Sequence, residues 1–364
     1  MMEKITKPTL MVDKATTLNN ISRMLKKTAA AGAIFRPHFK THQSGVVGQW
    51  FRSFGIEKIT VSSVSMAQYF ALHGWKDITI AFPVNLRELP AINHLALSSK
   101  INLLVESIEV VNTLETGLDH VSDVYIKVDA GAARTGIAID NIEAIITLAE
   151  QIKSKQKLKL AGFLTHAGHT YKAKGIQEIE EIAASSQKKL FAIREKLNDP
   201  SLILSWGDSP SCSMLPELSG FDEWRPGNFV FYDVMQYHIG SCDLKDIAVA
   251  MACPVVAVHP ERNQIVIYGG AIHFSKERII ADNGFELYGY VVEFTEKGWS
   301  KPIAGAWLSS LSQEHGIVQL PSNLIQHFRP GDMIGILPVH SCLAVSAVHE
   351  LISTEGENIP CFKG

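Results

Sequence analysis

The chain has 364 residues, 46% hydrophobic and 20% charged, with a formal net charge of −3. Those proportions exclude a disordered, collagenous or coiled-coil chain and fit one large globular unit or two domains. The slightly acidic balance argues against nucleic acid or an anionic membrane surface as partner.

The N-terminal stretch Met1–Val12 lacks the basic-then-apolar order of a signal peptide. Short β-branched runs then alternate with longer amphipathic segments. Strands are expected at 34–38, 59–63, 78–81, 101–104, 124–128, 158–164, 202–206 and 229–232. Helical patterns separate them, among them 65–72, 142–153 and 176–197, the last stopping near Asp199-Pro200. Eight strands set apart this way predict an α/β fold, a parallel (β/α)8 TIM-type barrel. An open doubly wound sheet fits less well, because no G-x-G-x-x-G follows the first strand.

After Gly240 the texture changes. Residues 254–258 and 264–268 read as a hairpin around a polar turn, with strand-like runs at 286–294, 333–337 and 343–351. A smaller β-rich domain over 245–364 is therefore expected behind a barrel over 10–240, with residues 1–9 packing on the second domain. The longest apolar stretch, 248–258, is broken by Pro254 and is too short to span a bilayer. Five scattered cysteines with no C-x-x-C pair fit a reducing compartment, and the cytoplasm is the expected location.

In a barrel of this kind, chemistry belongs on the loops after the C-terminal ends of the strands. The unusual polar clusters fall in or beside such loops: Arg36–His42, Asp129–Gly136, His166–Tyr171, Gly207–Ser211 and Arg225–Asn228. Gly207–Ser211 offers hydroxyls and amides, and Gly227-Asn228 offers unobstructed amides, so together they form a candidate anion cradle. Lys40 sits among His38, His42 and Arg36. Neighbouring cations and partial burial depress a lysine pKa and favour the free amine that a Schiff base requires.

Arg36-Pro37-His38-Phe39-Lys40-Thr41-His42 resembles the R-P-H-x-K-T-H motif of the D-threonine aldolase and D-serine dehydratase family. These are fold-type III pyridoxal-phosphate enzymes related to alanine racemase. Val128–Gly136, His166–Tyr171, Arg225–Asn228, Glu314–Gly316 and Pro338–Cys342 resemble further family segments in the same order. Departures fall at Met66-Ala67-Gln68, Tyr268–Ser275 and Gly207–Ser211, and bear on the substrate pocket.

The resemblance implies that Lys40 forms the internal aldimine, that Arg134 lies near the ring face and that Tyr171 contacts the ring or its nitrogen. It implies a phosphate site of Ser209, Ser211, Gly227 and Asn228, and a divalent metal, zinc by ligand chemistry, on His340 and Cys342. Read as a strand, the H-x-C pair points to one side and can share an ion. The expected reaction is dehydration of D-serine or D-threo-3-hydroxyaspartate to an α-keto acid and ammonia, because H-x-C resembles the dehydratases. The alternative is retro-aldol cleavage to glycine and an aldehyde, with His169 or His166 as candidate base. Racemization and non-catalytic pyridoxal-phosphate binding rank behind these. A homodimer acting on a small D-amino acid, with no nucleic acid or membrane partner, completes the expectation.

Overall fold

The computed structural model describes residues 2–280 and 284–364, and the contacts divide the chain into two units. One comprises residues 22–40 and 48–227; the other comprises residues 1–21, 41–47 and 228–363. A strand near the N-terminus, β1 (Thr9–Val12), belongs to the second unit.

The first unit is an eight-stranded parallel barrel. Its strands are β2 (Ile34–Phe35), β3 (Lys58–Val61), β4 (Asp77–Pro83), β5 (Lys100–Val105), β6 (Ser122–Asp129), β7 (Leu158–Thr165), β8 (Ile203–Trp206) and β9 (Glu223–Trp224). They are ordered β2-β9-β8-β7-β6-β5-β4-β3, and a parallel bridge between His38 and Thr60 closes β2 onto β3. The helices expected at 65–72, 142–153 and 176–197 form as Val64–Leu72, Ile142–Lys153 and Ile176–Lys196. Ser63 and Asn141 cap the first two by accepting from the amides of Met66 and Ala144.

The eighth strand differs from the sequence expectation. Phe229–Tyr232 is a 3-10 turn and a bend, with Tyr232 at φ +49, and Glu223–Trp224 takes the strand position. The apolar run is buried, but its backbone cannot extend through a left-handed residue. Arg225-Pro226-Gly227-Asn228 consequently follows the last strand instead of leading into it.

Part of the barrel interior is polar. Arg36 donates to Glu223 and to Asp77, both at 2.6 Å, and Asn102 donates to the same Asp77 carboxylate. Ser205 donates to Glu223 at 2.7 Å, and Arg225 Nε donates to Ser205 Oγ at 2.6 Å. These side chains form a continuous hydrogen-bonded path from Asp77 to Arg225, so the buried charges are paired.

The second unit is built on a mostly antiparallel sheet of β1, β10 (Val249–His259), β11 (Gln264–Tyr268), β12 (Gly289–Val292), β13 (Trp307–Leu311), β14 (His315–Gln319), β15 (Met333–Pro338), β16 (Glu350–Ser353) and β17 (Asn358–Pro360). Six of them, in the order β11-β14-β13-β12-β15-β10, close on themselves through the β10–β11 hairpin. The eleven-residue β10 also pairs with β1, which is parallel to β16 on its other side. The expected strand at 343–351 is mostly a helix, α1 (Ser341–Val348), followed by β16. Among the described residues, no helix is long and apolar enough to cross a membrane.

Candidate active site

Lys40 lies in the turn just beyond β2, half-buried, where the chain has passed the His38–Thr60 bridge. Its amide donates to His38 Nδ1 at 3.3 Å, which leaves Nε2 to carry the proton of the neutral ring. Burial, reinforced by Lys40, Arg225, His166 and Arg134, holds His38 well below the ordinary histidine range. His166, at the end of β7, is depressed in the same way, first by burial and then by Lys40 and Arg134. Its Nδ1 meets the Gly207 carbonyl, an acceptor, so Nδ1 carries the proton. The structure thus gathers Lys40 and His166 with His38, Arg134 and Arg225.

Arg134 is presented by the loop after β6. The Asp129 carboxylate accepts from the amides of Gly131, Ala132 and Ala133 at 2.8–3.0 Å and folds that loop back on itself. Gly136, at φ +106, donates to Glu106 at 2.6 Å, and a Cβ there would lie 2.9 Å from the Lys127 carbonyl. The motif's second glycine is therefore required by the backbone. Lys127, which no motif marks, is buried in the barrel beside Arg225 and Arg134 and is pushed down to about 8, chiefly by desolvation.

His169 is placed elsewhere. Its ring lies against Gly131, and it lines a cavity with Ala130, Ile139, Glu181, Ile182, Ser185 and Lys189. Its Nδ1 is buried without a hydrogen-bond partner among the described residues.

The Gly207–Ser211 segment opens a short helix, Ser209–Met214, capped by Asp208. Asp208 accepts from the Ser211 amide at 2.6 Å and from the Thr170 hydroxyl at 3.0 Å, while burial pushes its carboxyl up to about 6. The Ser209 amide points at the Tyr171 hydroxyl, 3.4 Å away. Tyr171, Ser209 and Ser211 therefore share one corner of the barrel unit. Gly207 has no room for a side chain, since a Cβ would meet the Arg225 guanidinium at 2.9 Å. Gly227 follows β9 within the same unit.

In the second unit, His340 caps the N-terminus of α1 and Cys342 is its second residue. A helix start, not a strand, carries the H-x-C pair. Asp233 organises it: Oδ2 accepts from the Ser341 amide at 3.0 Å and the Asn228 side chain at 2.6 Å, and lies 3.6 Å from His340 Nδ1. Burial lowers the His340 pKa, but Cys342 and Asp233 outweigh it and hold the imidazole up to about 9. Asn228 also reaches Ser341 and, at 3.6 Å, the Cys342 sulfur. Its Nδ2 is engaged here. Cys342 Sγ lies 3.2 Å from Thr41 Oγ1.

The local chemistry supports two groups. Around His38 and His166 the dominant charges are the cations Lys40, Arg134 and Arg225, and the Ser209 amide stands nearby on the same unit. A cationic surround with amide donors fits a phosphate-bearing, carboxylate-binding cofactor site with a lysine for covalent attachment. Imidazole and thiol are good donors for a borderline-soft divalent ion. Among the described residues no group of three or more His, Cys, Asp or Glu side chains converges, so His340 and Cys342 stand there as a pair.

A parallel barrel with this lysine-bearing rim, joined to a β-rich unit, defines the class of alanine-racemase-like barrels. Residues 12–234 match the family described as alanine racemase, N-terminal domain, and residues 248–354 match the putative serine dehydratase domain. The chain belongs to this alanine-racemase-like family, and the D-serine dehydratase resemblance read from its motifs holds. A D-serine dehydratase of Dictyostelium discoideum is 28% identical over 98% of this chain and 95% of its own. The D-threo-3-hydroxyaspartate dehydratase of Delftia sp. HT23 superposes with a TM-score of 0.91 at 23% identity, covering 100% of this chain and 99% of that one. A cysteine-to-alanine variant of a D-threo-3-hydroxyaspartate dehydratase, described as a metal-free form, has a TM-score of 0.89 at 24% identity and covers 100% and 99%.

Proposed function

We infer that the chain is a pyridoxal-phosphate- and metal-dependent lyase that dehydrates a D-configured 3-hydroxy amino acid, D-serine or D-threo-3-hydroxyaspartate. The products are an α-keto acid and ammonia. One observation carries the reading: a half-buried lysine among Arg134, Arg225 and two neutral histidines, in a chain whose full-length relatives are named dehydratases.

Lys40 would hold the cofactor covalently, Ser209, Ser211, Gly227 and Asn228 its phosphate, and Tyr171 and Arg134 its ring. Bound pyridoxal phosphate supplies an electron sink for charge that develops at the substrate α-carbon. The Lys40 amine would be the base that takes the substrate α-proton. Arg134 and Arg225 supply positive charge for the substrate carboxylate. His38 and His166, kept neutral by burial and by those cations, would add no charge that competes for the anion. His340 and Cys342 would hold the divalent metal, proposed as zinc, which would supply Lewis-acid assistance at the β-hydroxyl. The metal-free description of the cysteine variant supports this placement, because its cysteine stands two residues beyond the histidine replaced in a sister variant. A cytoplasmic homodimer is the assembly that fits the reading.

The test uses protein reconstituted with pyridoxal phosphate and zinc, assayed with D-serine, D-threonine and D-threo-3-hydroxyaspartate. Chelator-sensitive keto acid and ammonia are expected. Glycine plus an aldehyde would move the chain to the aldolases.

A further inference from the structure

Thr41 is fully buried and belongs to the second unit, although residues 22–40 immediately before it belong to the barrel. Its hydroxyl lies 3.2 Å from Cys342 Sγ. The next residues are fastened to the same unit. The His42 carbonyl accepts from Cys361 Sγ at 3.4 Å, and the Gln43 carbonyl accepts from the Phe362 amide at 2.6 Å. Gln43 has φ +50, a conformation that a non-glycine side chain adopts at a cost the surrounding contacts must cover. The segment is therefore held in one backbone path, and the residue peptide-bonded to Lys40 makes a side-chain contact to a metal-ligand candidate.

We propose that Thr41 is a positioning residue that couples metal binding to the lysine: its hydroxyl donates to the Cys342 sulfur, so the state of that sulfur sets the path of the backbone that carries Lys40. A sulfur that ligates a metal accepts a hydrogen bond strongly. Metal binding then tightens the Thr41 contact, and one planar peptide bond passes the constraint to the Lys40 α-carbon. Residues that orient metal ligands from behind alter affinity and geometry without touching the ion. This rests on the roles proposed above for Lys40, His340 and Cys342.

The experiment compares wild type, Thr41→Val and Thr41→Ser. Zinc affinity is measured on cofactor-free protein by competition with a chromogenic chelator. The visible circular dichroism of pyridoxal-phosphate-loaded protein is recorded with and without zinc. Thr41→Val, matched in shape but lacking the hydroxyl, is expected to bind zinc about tenfold more weakly. It should also lose the zinc-dependent change in the cofactor band, and Thr41→Ser should restore both. Wild-type zinc affinity in Thr41→Val, with the zinc-dependent change intact, would overturn the proposal. If Thr41→Val does not fold, the wild type decides: a cofactor band indifferent to zinc also overturns it. A wild type that binds neither zinc nor cofactor would instead sink the functional reading beneath it.

Discussion

Lys127 is 5% exposed inside the barrel, and desolvation together with Arg225 and Arg134 brings its ammonium down to about 8. The folded chain therefore binds fewer protons than the unfolded chain between about pH 8 and the ordinary lysine value of 10.5. The Lys127 contribution to stability consequently rises with pH across that window. Below it the burial penalty is fully expressed, at about 3 kcal/mol as an upper figure. Urea unfolding of wild type and Lys127→Met should show the variant gaining most at pH 7 and its advantage shrinking by pH 10. A difference independent of pH would mean that Lys127 is not charged and desolvated as described. Residues such as Lys40, His166 and Arg134 were legible because strand ends and motif order place them on one rim. Lys127 and Asp233 were not, since an isolated lysine or aspartate within an apolar run gives no local sign of what it faces.

At the scale of elements, close backbone approach decides where glycine is obligatory. Gly162 in β7 pairs with Tyr125 on one side and Ile203 on the other, next to a register shift at Val124/Tyr125. A Cβ there would lie 2.0 Å from the Ile203 carbonyl oxygen. Gly162→Ala forces β7 and β8 apart and is expected to cost about 2–4 kcal/mol, read as a lower urea midpoint with an unchanged slope. An unchanged midpoint would show that the barrel absorbs the shift. The elements misread from sequence fail for a related reason. Residues 341–348 are rich in Ala and Val and look extended, yet burial at 341, 342, 344 and 345 follows a helical stripe. His349, in the left-handed conformation, then ends the helix. Glu223–Trp224 went unseen because the strand is two residues long and starts with an acid whose partner, Arg36, lies 187 residues away in the chain.

For the whole molecule, β1 is the element whose removal should matter most. Leu10, Met11 and Val12 are fully buried, and the strand is paired along both edges, antiparallel to β10 and parallel to β16. Residues 228–364 expressed alone therefore lack an inner strand and expose two apolar sheet edges. Such a chain should show no cooperative melt, and supplying residues 1–21 on a linker should restore one. A cooperative melt without β1 would mean that the second unit folds on its C-terminal residues alone. The two-part organisation was legible in the change of texture near Gly240, and residues 1–9 were expected beside the second domain, but the pairing of Thr9–Val12 inside its sheet was not legible, because its partners are far away in sequence.

The proposed chemistry depends on Lys40. The most direct measurement is keto acid release from D-serine and D-threo-3-hydroxyaspartate by pyridoxal-phosphate- and zinc-loaded wild type and Lys40→Ala, with the visible cofactor band recorded in the same samples. Wild type is expected to show the band and to form keto acid, and Lys40→Ala to lose both while keeping the wild-type far-ultraviolet spectrum. A folded Lys40→Ala that retains the band, or still releases keto acid at the wild-type rate, would contradict the account.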